Sequence, residues 1–277
     1  MLDYKRSDEM TKVFIELQEI LEHQPRFIDT RFDLSDKTAG RKMYDKEHLE
    51  GAIYWDLEDD LSDMSSNKGR HPMISKEKMT NLIKQAGLNL DDFIVIYDQG
   101  ASPFALRAFF LLEWAGFTHV YVSRSGFEEL KGKLSVTTIE PVVIHTTITP
   151  FWSDDKLLTM DEVRKIVAAK TEGQLIDARS NIRFRGESEP IDPIAGHIPT
   201  AINFDWEQLK RDGKFLEQEE LKGKLVDLAP NDKPVIAYCG SGVTAAPLYG
   251  CLKEAGYENV QLYIGSYSDW IRENEVE

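Results

Sequence analysis

A cysteine at the end of an apolar run is the residue best placed for chemistry in this sequence. Residues 234–238 predict a buried strand, Cys239 follows directly, and a glycine-spaced loop then leads into small residues typical of a helix start. In an open α/β sheet, ligands bind at this end of the strands. The N–H groups of such a loop and the positive end of the helix dipole favour an anion there. These surroundings favour thiolate over thiol, so we predict that Cys239 is a nucleophile.

The loop after Cys239 is predicted to hold the anionic sulfur of a substrate. Its members are Gly240, Ser241, Gly242, Val243, Thr244 and Ala245. Glycines let the backbone wrap around a bound group, and backbone N–H groups can stabilise negative charge that develops on it. The alternative is that Cys239 is an inert core cysteine, the usual setting of a free thiol. We expect that setting for Cys251, which falls in the middle of the predicted helix.

Two other kinds of strand–loop–helix site fit the sequence less well. Residues 240–245 match the dinucleotide pattern G-x-G-x-x-A, but only one further strand is predicted downstream, too few for a dinucleotide-binding fold. A cysteine phosphatase needs an arginine in the loop to bind a phosphoryl dianion, and no Arg or Lys lies between Cys239 and Lys253. No cluster of His, Cys or carboxylates has the spacing of a metal site, so we expect neither metal nor cofactor.

The composition favours a small molecule or a protein as the partner. The chain of 277 residues carries 33 Lys and Arg against 48 Asp and Glu, a net charge of −15, and that field repels nucleic acid and anionic membranes. Residues 1–9 lack the apolar core of a signal peptide, and no run approaches the roughly 20 apolar residues of a membrane span. Two cysteines are too few for a disulfide framework. We therefore predict a soluble cytoplasmic protein.

An ordered series of local patterns occurs twice, which indicates a duplication. Residues 27–31 resemble 175–179 at an offset of 148, and residues 48–53 resemble 197–202 at an offset of 149. Residues 94–98 resemble 235–239 at an offset of 141, and residues 115–120 resemble 255–260 at an offset of 140. The offset changes little, so the halves differ by few gaps. In this alignment Asp98 stands where the second half has Cys239.

Each half alternates short apolar strands with helices, the pattern of an α/β fold with a parallel sheet flanked by helices. We predict a first domain at residues 1–135, an extended linker packed over the surface at 136–154, and a second domain at 155–277. Strands are predicted at residues 175–179, 201–204, 235–238 and 260–263. A capping box at Thr159 and Glu162 predicts a helix start. The helix after Cys239 is predicted to end near Glu254, with Pro247 in its first turn.

Together these residues resemble the tandem-domain sulfurtransferases of the rhodanese family over nearly the whole chain. The loop at 239–245 is similar to that of 3-mercaptopyruvate sulfurtransferases, whereas thiosulfate-using rhodaneses typically place Arg-Lys where Gly240 and Ser241 stand. The family's His-Ile-Pro-Gly-Ala element matches residues 197–201, where Thr200 replaces glycine, and residues 48–52 in the first half. The resemblance therefore implies two tandem rhodanese-like domains.

The resemblance also implies roles for single residues. The first domain is expected to be catalytically silent, because Asp98 cannot form a persulfide. Arg183 matches the family's substrate-binding arginine; the alternative is a surface arginine paired with a nearby glutamate. Ser241 is expected to form a relay with a first-domain histidine, and His48 matches that position. A histidine that satisfies backbone groups at a turn explains His48 equally well, since His197 repeats it in the second half.

The implied activity moves a sulfane sulfur from 3-mercaptopyruvate or thiosulfate, through a Cys239 persulfide, to a thiol, a thioredoxin-like protein or cyanide. The uncharged Gly240 and Ser241 favour mercaptopyruvate. Mercaptopyruvate enzymes often carry a second arginine between the Arg-Gly and Gly-His elements, however, and residues 187–195 contain none. A thiosulfate-preferring rhodanese therefore stays open. So does a function of another class, a persulfide carrier or binding module without turnover.

Overall fold

The structure is a computed structural model that describes residues 12–169, 173–228 and 233–277. It contains two parallel sheets, one in each half of the chain. The N-terminal residues 1–9, where no signal peptide is predicted, lie outside the described residues. No helix within the described ranges is long and apolar enough to cross a membrane.

The first half is built on a five-stranded parallel sheet. The strands of this half, in chain order, are Phe14–Ile15 (β1), Arg26–Asp29 (β2), His48–Leu49 (β3), Ile53–Tyr54 (β4), Ile94–Tyr97 (β5), Val120–Ser123 (β6) and Val136–Thr137 (β7). The sheet order is β1-β6-β5-β2-β4, while β3 pairs with β7. The helices are Leu17–Ile20 (α1), Ala39–Lys46 (α2), Lys76–Gln85 (α3), Phe104–Trp114 (α4) and Phe127–Leu130 (α5).

The second half repeats this plan with four parallel strands. The strands are Gln174–Asp177 (β8), Ile202–Asn203 (β9), Lys210–Arg211 (β10), Lys214–Phe215 (β11), Val235–Tyr238 (β12) and Val260–Leu262 (β13). The sheet order is β13-β12-β8-β9, while β10 and β11 form a hairpin. The helices are Met160–Ala169 (α6), Asn181–Phe184 (α7), Gln218–Leu225 (α8), Ala245–Glu254 (α9) and Ser266–Trp270 (α10), with short 3-10 turns at Asp154–Lys156 and Trp206–Leu209. The predicted strands are confirmed to within two residues at either end.

The duplication extends to buried ion pairs. Arg31 donates to Asp29 across 2.6 Å at the end of β2, and Arg179 donates to Asp177 across 2.6 Å at the end of β8. All four side chains are buried. Two equal, buried, hydrogen-bonded pairs at equivalent strand ends confirm that the halves share one framework.

One hydrophobic core joins the two halves. A single cluster of buried side chains includes residues of both sheets and of helices α4 and α9. Phe110 of α4 meets Tyr249 of α9 edge to face, with ring centroids 5.1 Å apart. A side chain in place of Gly250 would put its Cβ 2.4 Å from Leu106 Cδ2, so the helices approach closely there. This shared core fixes the first half against the loop at residues 239–245 of the second half, which we call the active loop.

The segment between the sheets runs over the surface of the first half. Residues 140–153 contain neither helix nor strand. The backbone of Thr146 donates to Lys84 O, and those of Phe151 and Ser153 donate to the end of α4. Val142 is 98% exposed. These contacts agree with an extended segment packed on the surface, while the domain boundaries stay a prediction.

Candidate active site

Cys239 lies at the carboxyl end of the central strand β12, where the sheet meets helix α9. Its Sγ accepts a hydrogen bond from Gly242 N at 3.1 Å, and its own N–H donates to Ser266 Oγ at 3.1 Å. Gly242 has a φ of +75°, and a Cβ there would lie 2.1 Å from Ile264 O. A glycine is therefore required for the turn that brings this N–H to the sulfur.

Helix α9 points its N-terminus at the same loop. It begins at Ala245, after Thr244 at its N-cap, and ends at Glu254. Pro247 is its third residue, so the prediction that it lies in the first turn is confirmed. The free N–H groups and the dipole of a helix start stabilise an anion in front of it. Val243 packs in a small apolar cluster with Phe104 of the first half, which holds the loop in place.

The second thiol has the opposite setting. Cys251 lies within α9, is fully buried, and is unbonded to Cys239, since both cysteines are free. Burial raises the pKa of Cys251 well above its ordinary value. A thiol that stays protonated in the core is a poor nucleophile, which agrees with the core role expected for it.

Ser241 bonds a histidine of the first half. Its Oγ lies 2.9 Å from Nδ1 of His71, and Glu58 Oε1 lies 3.7 Å from Nε2 of the same ring. Burial, followed by the charges of Arg107 and Arg70, lowers the pKa of His71 to about 4. The ring is therefore neutral at pH 7, and its Nδ1 can donate or accept one hydrogen bond with the serine hydroxyl.

The assignment of His48 to this place is wrong. Both ring nitrogens of His48 bond backbone oxygens, Nδ1 to Tyr44 at 2.8 Å and Nε2 to Ile139 at 3.2 Å. His197 bonds a backbone oxygen through one ring nitrogen in the second half, with Nδ1 2.9 Å from Phe184 O. These two histidines hold equivalent turns, as the structural alternative expected.

Sequence reasoning missed His71 because its placement depends on tertiary structure. It lies in residues 55–75, a stretch without helix or strand between β4 and α3 that we call the 55–75 segment. This segment reaches across to the second half, where a Cβ on Gly69 would lie 2.8 Å from Gly265 O. The only local sign was a pair of basic residues, Arg70 and His71, between a glycine and a proline.

Arg183 lies beside the loop and is held by carboxylates. It follows the start of α7, its Nε and Nη2 donate to Glu189 at 2.9 and 2.7 Å, and Nη2 also donates to Asp192 at 3.1 Å. Burial raises the pKa of Glu189, but the bonds from Arg183 and the backbone outweigh this and lower it overall. Arg183 is thus paired with Glu189, as the alternative expected, and also faces Gly240, while its role in binding substrate stays a prediction. Arg185 is exposed and pairs with Glu187.

A buried arginine of the first half supports the loop from behind. Arg107 of α4 is fully buried and donates to four backbone oxygens, those of Gly242 at 3.3 Å, Leu61 at 3.2 Å, His71 at 3.3 Å and Pro72 at 3.5 Å. Its Nε has no hydrogen-bond partner among the described residues. Burial lowers the pKa of Arg107 to about 10, while the charge of Cys239 raises it. Arg107 thus ties the 55–75 segment to the active loop and places a cation near the sulfur.

Known proteins resemble this chain in sequence and in fold. A family model described as the rhodanese-like domain matches residues 14–133 and again 159–273. A probable 3-mercaptopyruvate sulfurtransferase of Pseudomonas aeruginosa is 37% identical over 257 residues, which cover 88% of each chain. A putative thiosulfate sulfurtransferase of Mycobacterium tuberculosis is 33% identical over 253 residues, 88% of this chain and 86% of the other. The structure of SseA from Escherichia coli, described as a 3-mercaptopyruvate sulfotransferase, is 28% identical with a TM-score of 0.79, and the match covers 93% of this chain and 100% of that one. The chain therefore belongs to the rhodanese-like family, as a sulfurtransferase with two such domains.

Proposed function

We propose that the protein takes a sulfur atom from a small anionic donor onto Cys239, as a persulfide, and passes it to a second nucleophile. The observation that carries this proposal is the placement of Cys239 Sγ at a strand end, with Gly242 N bonded to it at 3.1 Å and a helix start beyond. The first domain, residues 1–135, is catalytically silent in this proposal, residues 136–154 link the domains, and residues 155–277 carry the nucleophile. We place the reaction in the cytoplasm, where thiols stay reduced.

The first step splits the donor. The Cys239 thiolate attacks the sulfur of 3-mercaptopyruvate, an S–S bond forms, and the C–S bond breaks with its electron pair on carbon. The carbon product is the enolate of pyruvate, which takes one proton. With thiosulfate, the thiolate attacks the outer sulfur and sulfite leaves with the electron pair. In either case Cys239 is left as a persulfide, whose charge the loop N–H groups from Ser241 to Ala245 stabilise.

Ser241 and His71 can stabilise the enolate formed in this step. The neutral His71 ring, with its pKa lowered to about 4, can hold Ser241 Oγ through a hydrogen bond across 2.9 Å. A hydroxyl held this way can donate a hydrogen bond to the oxygen of the departing enolate, while the proton that the enolate takes is the one that the thiol of the donor carried.

The second step releases the sulfur. A thiolate, a thioredoxin-like protein or cyanide attacks the outer sulfur of the persulfide, the S–S bond breaks, and the electron pair returns to Cys239. The balance needs no oxidant or reductant, because the acceptor leaves with the sulfur that the donor supplied.

3-Mercaptopyruvate is the donor we propose, and thiosulfate is the alternative. No side chain in the loop at Gly240 and Ser241 carries a charge, whereas thiosulfate is a compact dianion. Comparison of kcat/KM for the two donors at equal ionic strength is the direct test. We expect the higher value with mercaptopyruvate, and replacement of Gly240-Ser241 by Arg-Lys should shift the preference toward thiosulfate. A wild type that prefers thiosulfate would show that the charge argument is wrong.

Mass spectrometry tests the persulfide itself. Protein incubated with 3-mercaptopyruvate and no acceptor should gain one sulfur on the peptide that contains Cys239, with one pyruvate released per protein. Addition of a thiol acceptor should then give continued turnover. A single addition without turnover would favour the alternative of a persulfide carrier or binding module.

A further inference from the structure

The buried arginine behind the active loop has no acid to balance its charge. Arg107 of α4 bonds only neutral backbone oxygens, and its Nε has no hydrogen-bond partner among the described residues. Within those residues, no Asp or Glu forms an ion pair with it. Buried charges in proteins are normally paired, because transfer of an unpaired charge out of water is costly. Arg107 therefore calls for an anion close by.

One residue, Gly242, connects Arg107 to the sulfur of Cys239. The Gly242 oxygen accepts from Arg107 Nη1 at 3.3 Å, and the Gly242 N–H donates to Cys239 Sγ at 3.1 Å. Burial lowers the pKa of Arg107, and the charge of Cys239 opposes this. Cys239 is itself only 1% exposed, so a thiolate there gains little stabilisation from water. Each of the two groups thus supplies the charge that the other lacks.

The second copy of the helix shows that an arginine is not part of the repeated framework. At the offset of 141 that relates Asp98 to Cys239, Arg107 corresponds to Leu248 of α9, which is also fully buried. The ion pairs at the ends of β2 and β8, by contrast, occur in both halves. The arginine is therefore specific to the helix that meets the thiol of the other domain.

The loop of the first domain shows a buried anion without such a cation. Asp98 accepts hydrogen bonds from Gly100 N and Ala105 N, and no Lys or Arg of the described residues pairs with it. Burial nevertheless raises the pKa of Asp98 to about 6, against those backbone bonds. Backbone N–H groups alone therefore do not offset burial in a loop of this kind. The loop at Cys239 has a cation in addition.

We propose that Arg107 is the counter-ion of the Cys239 thiolate, and of the persulfide formed on it, and that the silent domain supplies this charge to the other domain. Arg107 is a positioning residue, because it acts on the sulfur through its charge and through Gly242. The inference rests on the proposed function, in which Cys239 is the nucleophile, and makes it more specific. It gives the first domain an electrostatic part in the reaction.

The other charged and titratable groups around the loop have partners of their own. They are Glu58, Arg70 and His71 of the 55–75 segment, Arg183, Glu189 and Asp192 beside α7, and Asp269 of α10. Each of these carboxylates lies beside a basic side chain. Burial lowers the pKa of His71 to about 4, so its ring stays neutral where a thiol titrates. Among these described cations, Arg107 is the one without a carboxylate.

The pH profile of alkylation by iodoacetamide, a neutral reagent, tests the counter-ion without a sulfur donor. The rate at Cys239, scored by peptide mapping, follows the thiolate, so the midpoint of the profile reports how well that charge is stabilised. Arg107→Leu introduces the residue found at the equivalent buried position of α9. We expect it to raise the midpoint by about one pH unit and to lower the rate below the midpoint about 10-fold. Arg107→Lys keeps the charge and should retain most of the wild-type profile.

Arg124→Leu is the matched control. Arg124 is also a buried first-domain arginine that donates to backbone oxygens of the second domain, those of Phe215 and Leu216, but it is paired with Glu254. Its loss should lower the denaturant midpoint and leave the alkylation profile unchanged. An unchanged profile in Arg107→Leu, or an equal shift in Arg107→Leu and Arg107→Lys, would show that Arg107 acts without its charge and overturn the inference. If Arg107→Leu does not fold, Arg107→Gln, which keeps an amide donor, takes its place in the same comparison.

Sulfur transfer separates this inference from the proposed function. With 3-mercaptopyruvate, Arg107→Leu should lower kcat/KM about 10-fold at a pH below the alkylation midpoint, and the loss should shrink as pH rises, because the thiolate fraction recovers. A protein that forms no persulfide, but whose alkylation midpoint still rises in Arg107→Leu, would show that the proposed function is wrong while the counter-ion stands. Normal persulfide formation with an unchanged midpoint would overturn the counter-ion alone.

Discussion

The two domains contain equivalent loops that differ in the side chain at their first residue. The loop after β5 begins at Asp98 and leads into α4 at Phe104, and the loop after β12 begins at Cys239 and leads into α9 at Ala245. The backbone turns to positive φ at equivalent residues, +47° at Ala101 and +75° at Gly242. The two loops therefore share their length and this turn, although the positive φ of +112° at Gly100 has no counterpart at Ser241, and the side chain at the loop entrance differs.

The first loop is filled by its own carboxylate. Asp98 Oδ1 accepts from Gly100 N at 2.8 Å, and Oδ2 accepts from Ala105 N at 3.2 Å. In the second loop the Cys239 sulfur takes the corresponding place, with Gly242 N bonded to it. Backbone N–H groups of this loop and of the helix start are thus occupied by the carboxylate in the first domain. This supports the proposal that the first domain is catalytically silent.

The first domain contributes side chains to the other loop instead. His71 bonds Ser241, Arg70 lies over Gly240, and Arg107 bonds the oxygen of Gly242. The 55–75 segment and α4 of the first domain thus contact the active loop of the second domain. Because the two copies share a core, this division of roles should be tested in the full chain.

Removal of the nucleophile should have the largest effect. Cys239→Ser should lower turnover of 3-mercaptopyruvate by about 10³-fold or more, because a serine cannot form the persulfide. The measurement is steady-state turnover, with mass spectrometry to map the added sulfur. Cys251→Ala, the matched loss of the buried thiol, should retain the persulfide on Cys239. A persulfide on Cys251 would contradict the assignment.

The two first-domain histidines should separate catalysis from folding. We expect His71→Gln to lower kcat about 10²-fold, the effect of losing one group that stabilises a developing oxyanion, because the Ser241 hydroxyl loses the histidine that positions it. His48→Gln should lower the denaturant midpoint instead, since both ring nitrogens of His48 bond backbone oxygens, those of Tyr44 and Ile139. Equal losses of kcat in the two variants would show that His71 has no special role.

Local and distant features differ in how well the sequence predicts them. The strand, loop and helix around Cys239 could be predicted because hydrophobic pattern, glycine spacing and Pro247 act over neighbouring residues. The partner of Ser241 could not, because His71 reaches it through a 55–75 segment without helix or strand. Its position depends on packing against the second domain. The internal repeat also led to the wrong histidine. His48 and His197 match in sequence because each bonds a backbone oxygen in its own domain.

Asp98 and His71 should give opposite pH dependences of stability. Burial raises the pKa of Asp98 to about 6, against backbone hydrogen bonds that lower it, so its stabilising contribution is present below pH 3.8 and is lost as pH rises through 6. The pKa of His71 is lowered from 6.5 to about 4, so its contribution is present above pH 6.5 and is lost as pH falls through 4. Each change amounts to about 3 kcal/mol.

Denaturation of two variants between pH 4 and pH 7 measures these contributions. Asp98→Ala should cost more free energy of unfolding at pH 4 than at pH 7, and His71→Gln should cost more at pH 7 than at pH 4. Between pH 4 and pH 6 the two slopes oppose each other in the wild type. If both variants showed the same pH trend, the assigned environments of these side chains would be wrong.

The smallest expected effect comes from a turn that differs between the domains by one residue. Gly51 has a φ of +79°, and Thr200 at the equivalent position has a φ of +71°. A β-branched residue in this left-handed region is strained by about 1–2 kcal/mol, and glycine loses about 0.5–1 kcal/mol of that advantage through its larger unfolded-state entropy. We therefore expect Thr200→Gly to raise the free energy of unfolding by about 0.5–1 kcal/mol. The reverse change, Gly51→Thr, should lower it by a similar amount, and it is a clean control because a Cβ there would meet no atom within 4 Å. Stabilisation in both variants, or in neither, would mean that the turn is not strained and that the domains differ here without energetic consequence.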